Sequence, residues 1–310
     1  MVNVLFAAGD FRWGQYEAPL RRALADAGIP DVTLTCDLPH EQVDFIIFAP
    51  NGPISDFAPY TNAKAVLGLW AGVESIVTNP TLTQPLTRMV DDGLRQGMIE
   101  WVCGHVLRHH LGIDRMLAHQ NGIWDPQVPP LAQGRRIGLL GLGALGTACG
   151  QALAQLGFPV AGWSRRPREI TGVACHHGAA GLNVVLARSD ILILLLPLTK
   201  DTNSLIDARA LAQLPQGAVI LNPGRGALID DQALLEALDR GDIAHATLDT
   251  FRQEPLPADH PFWGHAKVTV SPHVASETRA ETAAAVIAEN IRRGLAGEAY
   301  LHLVDRAAGY

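Results

Sequence analysis

Short apolar runs alternate with segments of helical periodicity along most of the chain. In the first hundred residues, strand patterns cover Val2–Ala8, Phe45–Ala49 and Ala65–Leu69, and helical spacing covers Tyr16–Ala27. Strands and helices that alternate in this way are typical of α/β domains. The first part of the chain is therefore predicted to form a small α/β domain.

A second, longer run of alternating strands and helices follows. The helix Gly97–Leu111 is predicted to carry the chain into it, and the polar, proline-rich stretch Asn121–Gln133 is predicted to be a surface loop. The predicted strands are Ile137–Leu140, Val160–Trp163, Ile191–Leu196, Ala218–Leu221, Ala246–Leu248 and Val268–Val270. Their nearly continuous apolar character is typical of a parallel sheet with both faces covered.

The last predicted element determines how the two parts are connected. The helix Arg279–Gly294 ends the recognisable pattern and has the length to return to the first domain. The sequence therefore predicts a two-domain α/β protein, in which a Rossmann-type doubly wound parallel sheet is inserted in a smaller, flavodoxin-like α/β domain. We expect residues 1–97 and 281–310 to form the split outer domain and residues 98–280 the inserted one.

Composition narrows the function classes. The 310 residues, 48% of them hydrophobic, are enough for two domains with large cores. With a net charge of −7 and no Lys/Arg tract, neither nucleic acid nor an anionic membrane is an expected partner. The longest apolar run, Ile191–Leu196, is too short to span a bilayer, and the N-terminus does not resemble a signal peptide.

The four cysteines are scattered along the chain without the CxxC spacing of a zinc site. We therefore expect reduced, packed thiols, no metal and a cytoplasmic location.

A glycine motif follows the first strand of the second run. It comprises Gly141, Gly143, Ala144, Leu145 and Gly146, with glycines in G-x-G-x-x-G spacing at the start of an amphipathic helix. In this context the first glycine allows a tight turn, the second lets a pyrophosphate approach, and the third permits close helix–strand packing. The helix N-terminus supplies amide donors. The alternative is a glycine-rich turn that binds no ligand.

The end of the next strand indicates which dinucleotide binds. At the position where an acidic residue would hold the ribose of NAD, the chain has Ser164, followed by Arg165 and Arg166. A hydroxyl group and two guanidinium groups can bind a 2′-phosphate through charge-assisted hydrogen bonds. The sequence therefore predicts NADP(H) as the cofactor, unless both arginines are merely solvated.

Three later strands each end in polar groups. Arg225 follows the strand Ala218–Leu221, Asp249 and Glu254 follow the next, and His273 follows the last. In a doubly wound sheet the carboxyl ends of the strands line one crevice, where ligands bind. We expect these side chains to converge there, although each alone could be an ordinary surface or turn residue.

With these motifs the chain resembles the D-isomer-specific 2-hydroxyacid dehydrogenases, and within them the glyoxylate/hydroxypyruvate reductase branch. The residues that carry the resemblance are Gly141 to Gly146, Asn222-Pro223-Gly224-Arg225-Gly226, Asp230, Glu254-Pro255-Leu256-Pro257, Ser271-Pro272-His273 and, more faintly, Trp70 to Ser75. Ser164-Arg165-Arg166 departs from the family's commoner acidic residue.

The chemistry of the polar residues agrees with that resemblance. Reduction of a 2-oxo acid needs a hydride donor, an acid for the carbonyl oxygen and a cation for the carboxylate. We expect His273 to be the acid, Glu254 to favour its protonated form, and the planar fork of Arg225 to hold the carboxylate and polarise the carbonyl group.

The resemblance implies further roles. The backbone amides of Ala71, Gly72 and Val73 would hold the substrate carboxylate, which makes residues 1–97 and 281–310 the substrate-binding domain and residues 98–280 the dinucleotide-binding domain. Asp249 would orient the nicotinamide amide. Pro197 and Thr202 would line the path of the cofactor. The residues that size the substrate pocket are not revealed, and Trp13, Asn51, Trp70 and Met98 are candidates only.

Other functions remain open at this point. Formate dehydrogenase shares the fold, but it resembles a form of this site that has Gln at the position of Glu254. Phosphoglycerate dehydrogenase is usually NAD-linked. A dinucleotide-sensing binding protein on the same scaffold could keep Arg225, Glu254 and His273. We also expect a homodimer through the region from Met98 to Leu111 and the proline-rich arm after it.

Overall fold

The computed structural model describes residues 1–309. In chain order the strands are β1 Val2–Ala7, β2 Val32–Thr35, β3 Phe45–Phe48, β4 Ala65–Gly68, β5 Leu86–Thr87, β6 Ile137–Leu140, β7 Val160–Ser164, β8 Val173–His177, β9 Ile191–Leu194, β10 Ala218–Asn222, β11 Ile243–Leu248 and β12 Val268–Val270. The helices are α1 Asp10–Asp26, α2 Asp92–Leu111, α3 Ile113–Ala118, α4 Ala144–Gln155, α5 Gly178–Arg188, α6 Ala208–Leu211, α7 Asp231–Arg240, α8 Pro261–Gly264 and α9 Ala280–Ala296. Short 3₁₀ turns lie at His40–Gln42, Ala132–Gly134 and Gly226–Leu228.

The chain divides into two compact units. The outer unit contains residues 1–94 and 277–310, and the inserted unit contains residues 95–276. The sequence placed these boundaries at 97/98 and 280/281, and the first observed boundary falls within the first turn of α2. The assignment of substrate to the outer unit and of dinucleotide to the inserted unit stays a prediction.

The outer unit is built on a parallel five-stranded sheet of order β2-β1-β3-β4-β5. This is the strand order of flavodoxin-like folds, as predicted. The sequence Phe-Ile-Ile-Phe of β3 is wholly buried because it forms the middle of a sheet with both faces covered. Helices α1 and α9 pack against each other, and the apolar faces of both join one core cluster.

The inserted unit is built on a parallel seven-stranded sheet of order β12-β11-β10-β9-β6-β7-β8. Read from β8, this is the doubly wound Rossmann order extended by one strand, which confirms the predicted fold class. Aspartates begin two of its helices: the side chain of Asp207 accepts hydrogen bonds from two amides of α6, and that of Asp230 accepts one from Ala233 at 3.0 Å in α7.

Each sheet has a switch point where the strand order reverses. In the inserted unit the reversal lies at β6 and β9, which are neighbours. In the outer unit it lies at β1 and β3. Loops at the carboxyl ends of such strand pairs form the crevices where open α/β sheets bind ligands. The topology therefore predicts one ligand-binding crevice in each unit, at the carboxyl ends of these strand pairs.

Three strands and part of a helix were not predicted. One of these strands, β5, has only two residues, which is too few for a strand pattern in the sequence. The strands β2 and β8 are edge strands whose residues are largely half-buried or exposed, so their sequences lack a long apolar run. Helix α1 begins at Asp10, before the predicted start at Tyr16, because Gly14 and the exposed Phe11 interrupt the apolar periodicity there.

The structure also bears on two expectations, one about membrane-spanning helices and one about the cysteines. Within residues 1–309 no helix is long and apolar enough to cross a membrane. All four cysteines are free, but Cys36 is exposed, so the expectation that every thiol is packed is wrong for this residue. Cys149 is fully buried, and burial raises the pKa of its thiol to about 12.

Candidate active site

The glycine motif joins β6 to α4 at the switch point of the inserted unit. Gly141 has φ +108°, and a Cβ there would lie 2.5 Å from the Leu195 carbonyl oxygen. A Cβ at Gly146 would lie 1.8 Å from the Gly141 carbonyl oxygen, whereas one at Gly143 would meet nothing within 4 Å. Two of the glycines are thus required by packing. The third faces open space, beside a helix N-terminus that no side chain caps.

Ser164 is the last residue of β7, and Arg165 and Arg166 follow it on the surface. The Ser164 hydroxyl donates a hydrogen bond to the carbonyl oxygen of Arg166 at 2.8 Å, which folds the turn back on the strand end. In the sheet, Ser164 pairs with His177, the last residue of β8. Three cationic or polar side chains therefore stand at one strand end, where a 2′-phosphate can be held.

Pro197 and Thr202 lie in the loop that follows β9 on the other side of the switch point. The Thr202 hydroxyl donates to the Pro197 carbonyl oxygen at 2.7 Å and accepts from the Thr199 amide at 2.7 Å. Thr202 thereby fixes the shape of this loop. Whether the two residues line a cofactor path stays a prediction.

Arg225 lies in the loop after β10. Asn222 shapes this loop, since its side chain accepts from the Gly224 amide at 3.2 Å and donates to the Arg225 carbonyl oxygen at 2.9 Å. The Arg225 guanidinium group donates to the Gly224 carbonyl oxygen at 2.7 Å. Arg225 is half-buried and follows the carboxyl end of β10.

The glycines on either side of Arg225 are placed where a side chain would not fit. A Cβ at Gly224 would lie 2.7 Å from the Leu194 carbonyl oxygen, and one at Gly226 would lie 2.0 Å from the backbone of Phe251. The end of β9 and the loop after β11 fill the space, so both glycines are required by protein packing.

Glu254 and His273 are in direct contact. The Glu254 carboxylate oxygen Oε2 lies 2.7 Å from Nδ1 of His273, and Oε1 accepts the Phe251 amide at 2.9 Å. His273 has φ +56°, a left-handed conformation that is uncommon for a residue with a side chain. Because Nδ1 faces Glu254, the half-exposed ring presents Nε2 as the nitrogen that can meet a substrate.

Asp249 holds the loop that carries His273. Its buried carboxylate accepts hydrogen bonds from the Ser271 hydroxyl at 2.5 Å and from the Val274 and Ala275 amides at 3.0 Å each. Its carbonyl oxygen accepts the His273 amide at 2.8 Å. The structure thus adds a positioning role for Asp249 to the predicted role toward the nicotinamide amide, which stays a prediction.

Sequence reasoning missed a polar link between α2 and this loop. The Trp101 indole N–H lies 3.3 Å from the Ser271 hydroxyl oxygen, which itself donates to Asp249. Trp101, His105, Arg108 and His109 are spaced along one face of α2, and this stripe of polar side chains was the available signal. The sequence interpretation counted Trp101, His105 and His109 among the apolar positions of this helix.

Ala71, Gly72 and Val73 follow β4 in the outer unit. The Val73 carbonyl oxygen accepts the amides of Ile76 at 3.0 Å and Val77 at 2.9 Å, which winds the segment into a turn. Within residues 1–309, the backbone N–H groups of residues 71 to 73 have no hydrogen-bond acceptor from the protein. Three such amides in succession can bind a carboxylate. Of the pocket candidates, Asn51 and Trp70 lie in this same neighbourhood, at the ends of β3 and β4.

Comparison with known proteins agrees with this geometry. Residues 102–275 match the family model for the D-isomer specific 2-hydroxyacid dehydrogenase NAD binding domain. The chain is 35% identical to glyoxylate/hydroxypyruvate reductase A of Yersinia enterocolitica, with full coverage of both proteins.

Two solved structures are also similar. A D-isomer specific 2-hydroxyacid dehydrogenase from Xanthobacter autotrophicus, in complex with NADPH and MES, has a TM-score of 0.93 at 39% identity and covers 100% of this chain and 99% of its own. An NADPH-dependent glyoxylate/hydroxypyruvate reductase from Sinorhizobium meliloti, in complex with NADP and sulfate, has a TM-score of 0.89 at 32% identity and full coverage of both chains.

The chain therefore belongs to the D-isomer specific 2-hydroxyacid dehydrogenase family. Within that family it is similar over its full length to relatives named glyoxylate/hydroxypyruvate reductase.

Proposed function

We propose that the protein is an NADPH-dependent reductase of small 2-oxo acids, with glyoxylate and hydroxypyruvate as substrates. The observation that carries the proposal is the 2.7 Å contact between Glu254 and Nδ1 of His273, at the sheet edge that also presents Arg225. An imidazole backed by a carboxylate is suited to proton transfer, and a guanidinium group is suited to binding a substrate carboxylate. The curated relative and the solved structures named above support the same reaction.

The chain's own residues supply everything except the hydride. Arg225 and the amides of Ala71 to Val73 hold the substrate carboxylate, and Arg225 also draws electron density toward the carbonyl oxygen. His273 donates a proton from Nε2 to that oxygen, and Glu254 stabilises the imidazolium form through Nδ1. NADPH, when bound, supplies the hydride that the oxo carbon receives.

The residues of the inserted unit fit that cofactor. The space in front of Gly143 and the uncapped amides of α4 suit a pyrophosphate. Ser164, Arg165 and Arg166 provide a hydroxyl and two guanidinium groups for the 2′-phosphate, with no acidic residue at the strand end.

Consumption of NADPH with glyoxylate and with hydroxypyruvate tests the reaction. We expect turnover with both acids and a loss of about 10²- to 10⁴-fold in His273→Ala, the usual size of general acid catalysis. His265→Ala is the matched control, since His265 also faces a carboxylate, Asp239 at 3.3 Å, but away from this loop. If the wild-type protein binds NADPH and reduces neither acid, the proposal is wrong and a dinucleotide-sensing role is favoured.

The cofactor preference has its own test. Two charge-assisted hydrogen bonds of about 1.5–3 kcal/mol each correspond to a preference of about a hundredfold or more for NADPH over NADH. The double variant Arg165→Gln/Arg166→Gln is expected to lose most of that ratio of kcat/KM values, whereas Arg209→Gln, a surface arginine of α6, should keep it. Equal use of both cofactors by the wild type would contradict this assignment.

We also propose a homodimer through α2, α3 and the arm that follows them. The arm exposes large apolar side chains, with Trp124 91% and Val128 90% exposed. Apolar exposure of this kind in one segment is typical of an interface with another copy. The cytoplasmic location stays a prediction.

A further inference from the structure

A cation stands at the switch point of the outer sheet, and the proposed reaction does not use it. Arg12 lies in the first turn of α1, immediately after β1, and Asn51 follows the end of β3. These are the two strands at which the order of the outer sheet reverses. A ligand is expected at the carboxyl edge of such a strand pair.

The Arg12 side chain is held in place by three contacts. Its Nη1 donates to the Asn51 side-chain oxygen at 2.9 Å and to the Ala8 carbonyl oxygen at 3.3 Å. Its guanidinium carbon lies 5.5 Å from the ring centroid of Trp70. A cation placed over an indole face gains a cation–π contact and loses little freedom when it binds an anion.

Within residues 1–309, no carboxylate forms an ion pair with this cation. Along the described chain, residues 1–309, Arg12 has no carboxylate within 4.0 Å, and its Nε and Nη2 groups have no protein acceptor. The other arginines of the same helix differ, since Arg21 pairs with Glu17 and Arg22 with Glu281. A half-buried guanidinium group with unused donors favours an anionic ligand.

Trp70 connects Arg12 to the amides that are proposed to hold the substrate. Trp70 immediately precedes Ala71, and with Gly72 and Val73 it lines a small apolar cavity. Arg12 therefore contacts the residue that immediately precedes the first of the three free amides. Because Arg12 and these amides adjoin the same residue, Trp70, one ligand that carries two carboxylates can engage both.

We infer that Arg12 recognises a second carboxylate at the distal end of the substrate, so that four-carbon dicarboxylic 2-oxo acids are substrates as well. This inference rests on the proposed function for its chemistry. The redox change is the same, since the oxo carbon gains a hydride and its oxygen gains a proton, and Arg12 forms no covalent bond. Glyoxylate has no group that could reach Arg12, so its reduction does not depend on this residue.

Kinetics with oxaloacetate and glyoxylate test the inference. In Arg12→Gln we expect kcat/KM for oxaloacetate to fall about 10- to 100-fold, the value of one or two hydrogen bonds to a charged group, with glyoxylate changed less than about twofold. Arg12→Lys should recover part of the loss, because it restores the charge without the planar fork. Arg22→Gln, on the same helix, should leave both substrates unchanged.

A binding measurement separates this inference from the proposed function. Calorimetric titration with D-malate and with glycolate, in the presence of NADP⁺, needs no turnover. We expect D-malate to bind more tightly than glycolate to the wild type, and Arg12→Gln to remove the difference. If the protein reduces glyoxylate but Arg12→Gln affects both acids equally, or the wild type does not accept oxaloacetate, the inference is wrong and the proposed function stands. If D-malate binding depends on Arg12 but no acid is reduced, Arg12 does recognise the second carboxylate and the proposed function is wrong.

Discussion

At the scale of single residues, the three glycines of the dinucleotide motif have separable roles. A Cβ at Gly146 would collide with the Gly141 carbonyl oxygen at 1.8 Å, whereas one at Gly143 would enter open space, and the φ of −77° at Gly143 suits alanine. Within one motif, Gly146 is therefore required by packing, whereas Gly143 leaves space for the proposed ligand. The sequence shows the spacing of the glycines but not which neighbour each one meets.

Alanine substitutions at these two positions should consequently give opposite results. Gly143→Ala is expected to fold with wild-type stability and to bind NADPH about tenfold more weakly or worse, a loss of about 1.4 kcal/mol or more. Gly146→Ala is expected to lose about 1–3 kcal/mol or more of unfolding free energy, because the backbone must move. Urea denaturation and NADPH fluorescence titration measure the two effects. Unchanged NADPH affinity in Gly143→Ala would contradict the proposed approach of the pyrophosphate.

Candidate residues could be proposed from the sequence where polar groups follow strands, but not where a role depends on contacts between distant positions. Arg225, Glu254 and His273 could be singled out because each polar group follows an apolar strand, and a parallel sheet brings such ends to one edge. Arg12 gave no such signal. Its significance comes from Asn51, 39 positions away, and from Trp70, and a first-turn arginine read alone is an ordinary surface residue.

At the scale of elements, α2 is tied to the loop that carries His273. The Trp101 indole lies 3.3 Å from the Ser271 hydroxyl oxygen, which donates to Asp249, and Asp249 holds the backbone of residues 273 to 275. Ser271 is therefore a positioning residue for the proposed acid. The loop keeps His273 at a positive φ, which needs support from its surroundings.

Removal of the Ser271 hydroxyl should impair turnover more than substrate binding. For Ser271→Ala we expect kcat for glyoxylate to fall about five- to tenfold, from a hydrogen bond with a net value of about 1 kcal/mol, with KM nearly unchanged. Ser271→Thr should restore kcat. Thr269→Val removes a hydroxyl that Arg108 and His245 contact but that does not reach Asp249, so it serves as the control. A fall in stability with kcat intact would mean that the chain of hydrogen bonds is only structural.

The packing of α2 on β11 and β12 also buries two histidines, which makes the inserted unit sensitive to acid. His109 contacts the Thr247 hydroxyl at 3.0 Å, and His245 contacts the Thr269 hydroxyl at 2.9 Å. Burial, and then the neighbouring His245, lower the pKa of His109 to about 3. Burial, and then Arg108, lower the pKa of His245 to about 4.

Because both histidines are neutral when folded, the unfolded chain binds more protons below its own histidine pKa of about 6.5. Stability is therefore complete above about pH 6.5 and falls as the pH drops toward 4, with a limiting slope of about 1.4 kcal/mol per pH unit for each histidine. Denaturant midpoints at pH 7.5, 6 and 5 measure this loss. The double variant His109→Gln/His245→Gln should flatten the decline, whereas His177→Gln, at an exposed position, should not. A wild-type midpoint that stays constant from pH 7.5 to 5 would refute the argument.

At the scale of elements, a strand could be predicted from the sequence only where burial makes its residues apolar. Central strands such as β3 and β9 were evident because burial on both faces makes them apolar throughout. The edge strands β2 and β8 were missed because one side of each faces solvent and their residues are mixed. The strand order of both sheets nevertheless follows the predicted fold class, since it depends on the succession of strands and helices more than on any one of them.

At the scale of the whole molecule, the region after α2 has more apolar surface than a monomer needs. Helix α3 exposes Met116 and Leu117, and the arm that follows it exposes Ile123, Trp124, Val128 and Leu131. The arm has no regular secondary structure from residue 123 to 131. Contact with a second copy of the chain would bury these side chains in one continuous surface.

The assembly state tests this directly. We expect the wild type to sediment as a dimer at micromolar concentration. The double variant Trp124→Ser/Val128→Ser should sediment as a monomer, because it removes the two most exposed large apolar side chains of the arm. Trp263→Ser/Val184→Ser is the matched control, since both residues are about half exposed and lie outside the arm in the same unit. It should stay dimeric. Wild-type protein that sediments as a monomer at this concentration would contradict the dimer, and a dimer that survives in the arm variant would place the interface elsewhere on the surface.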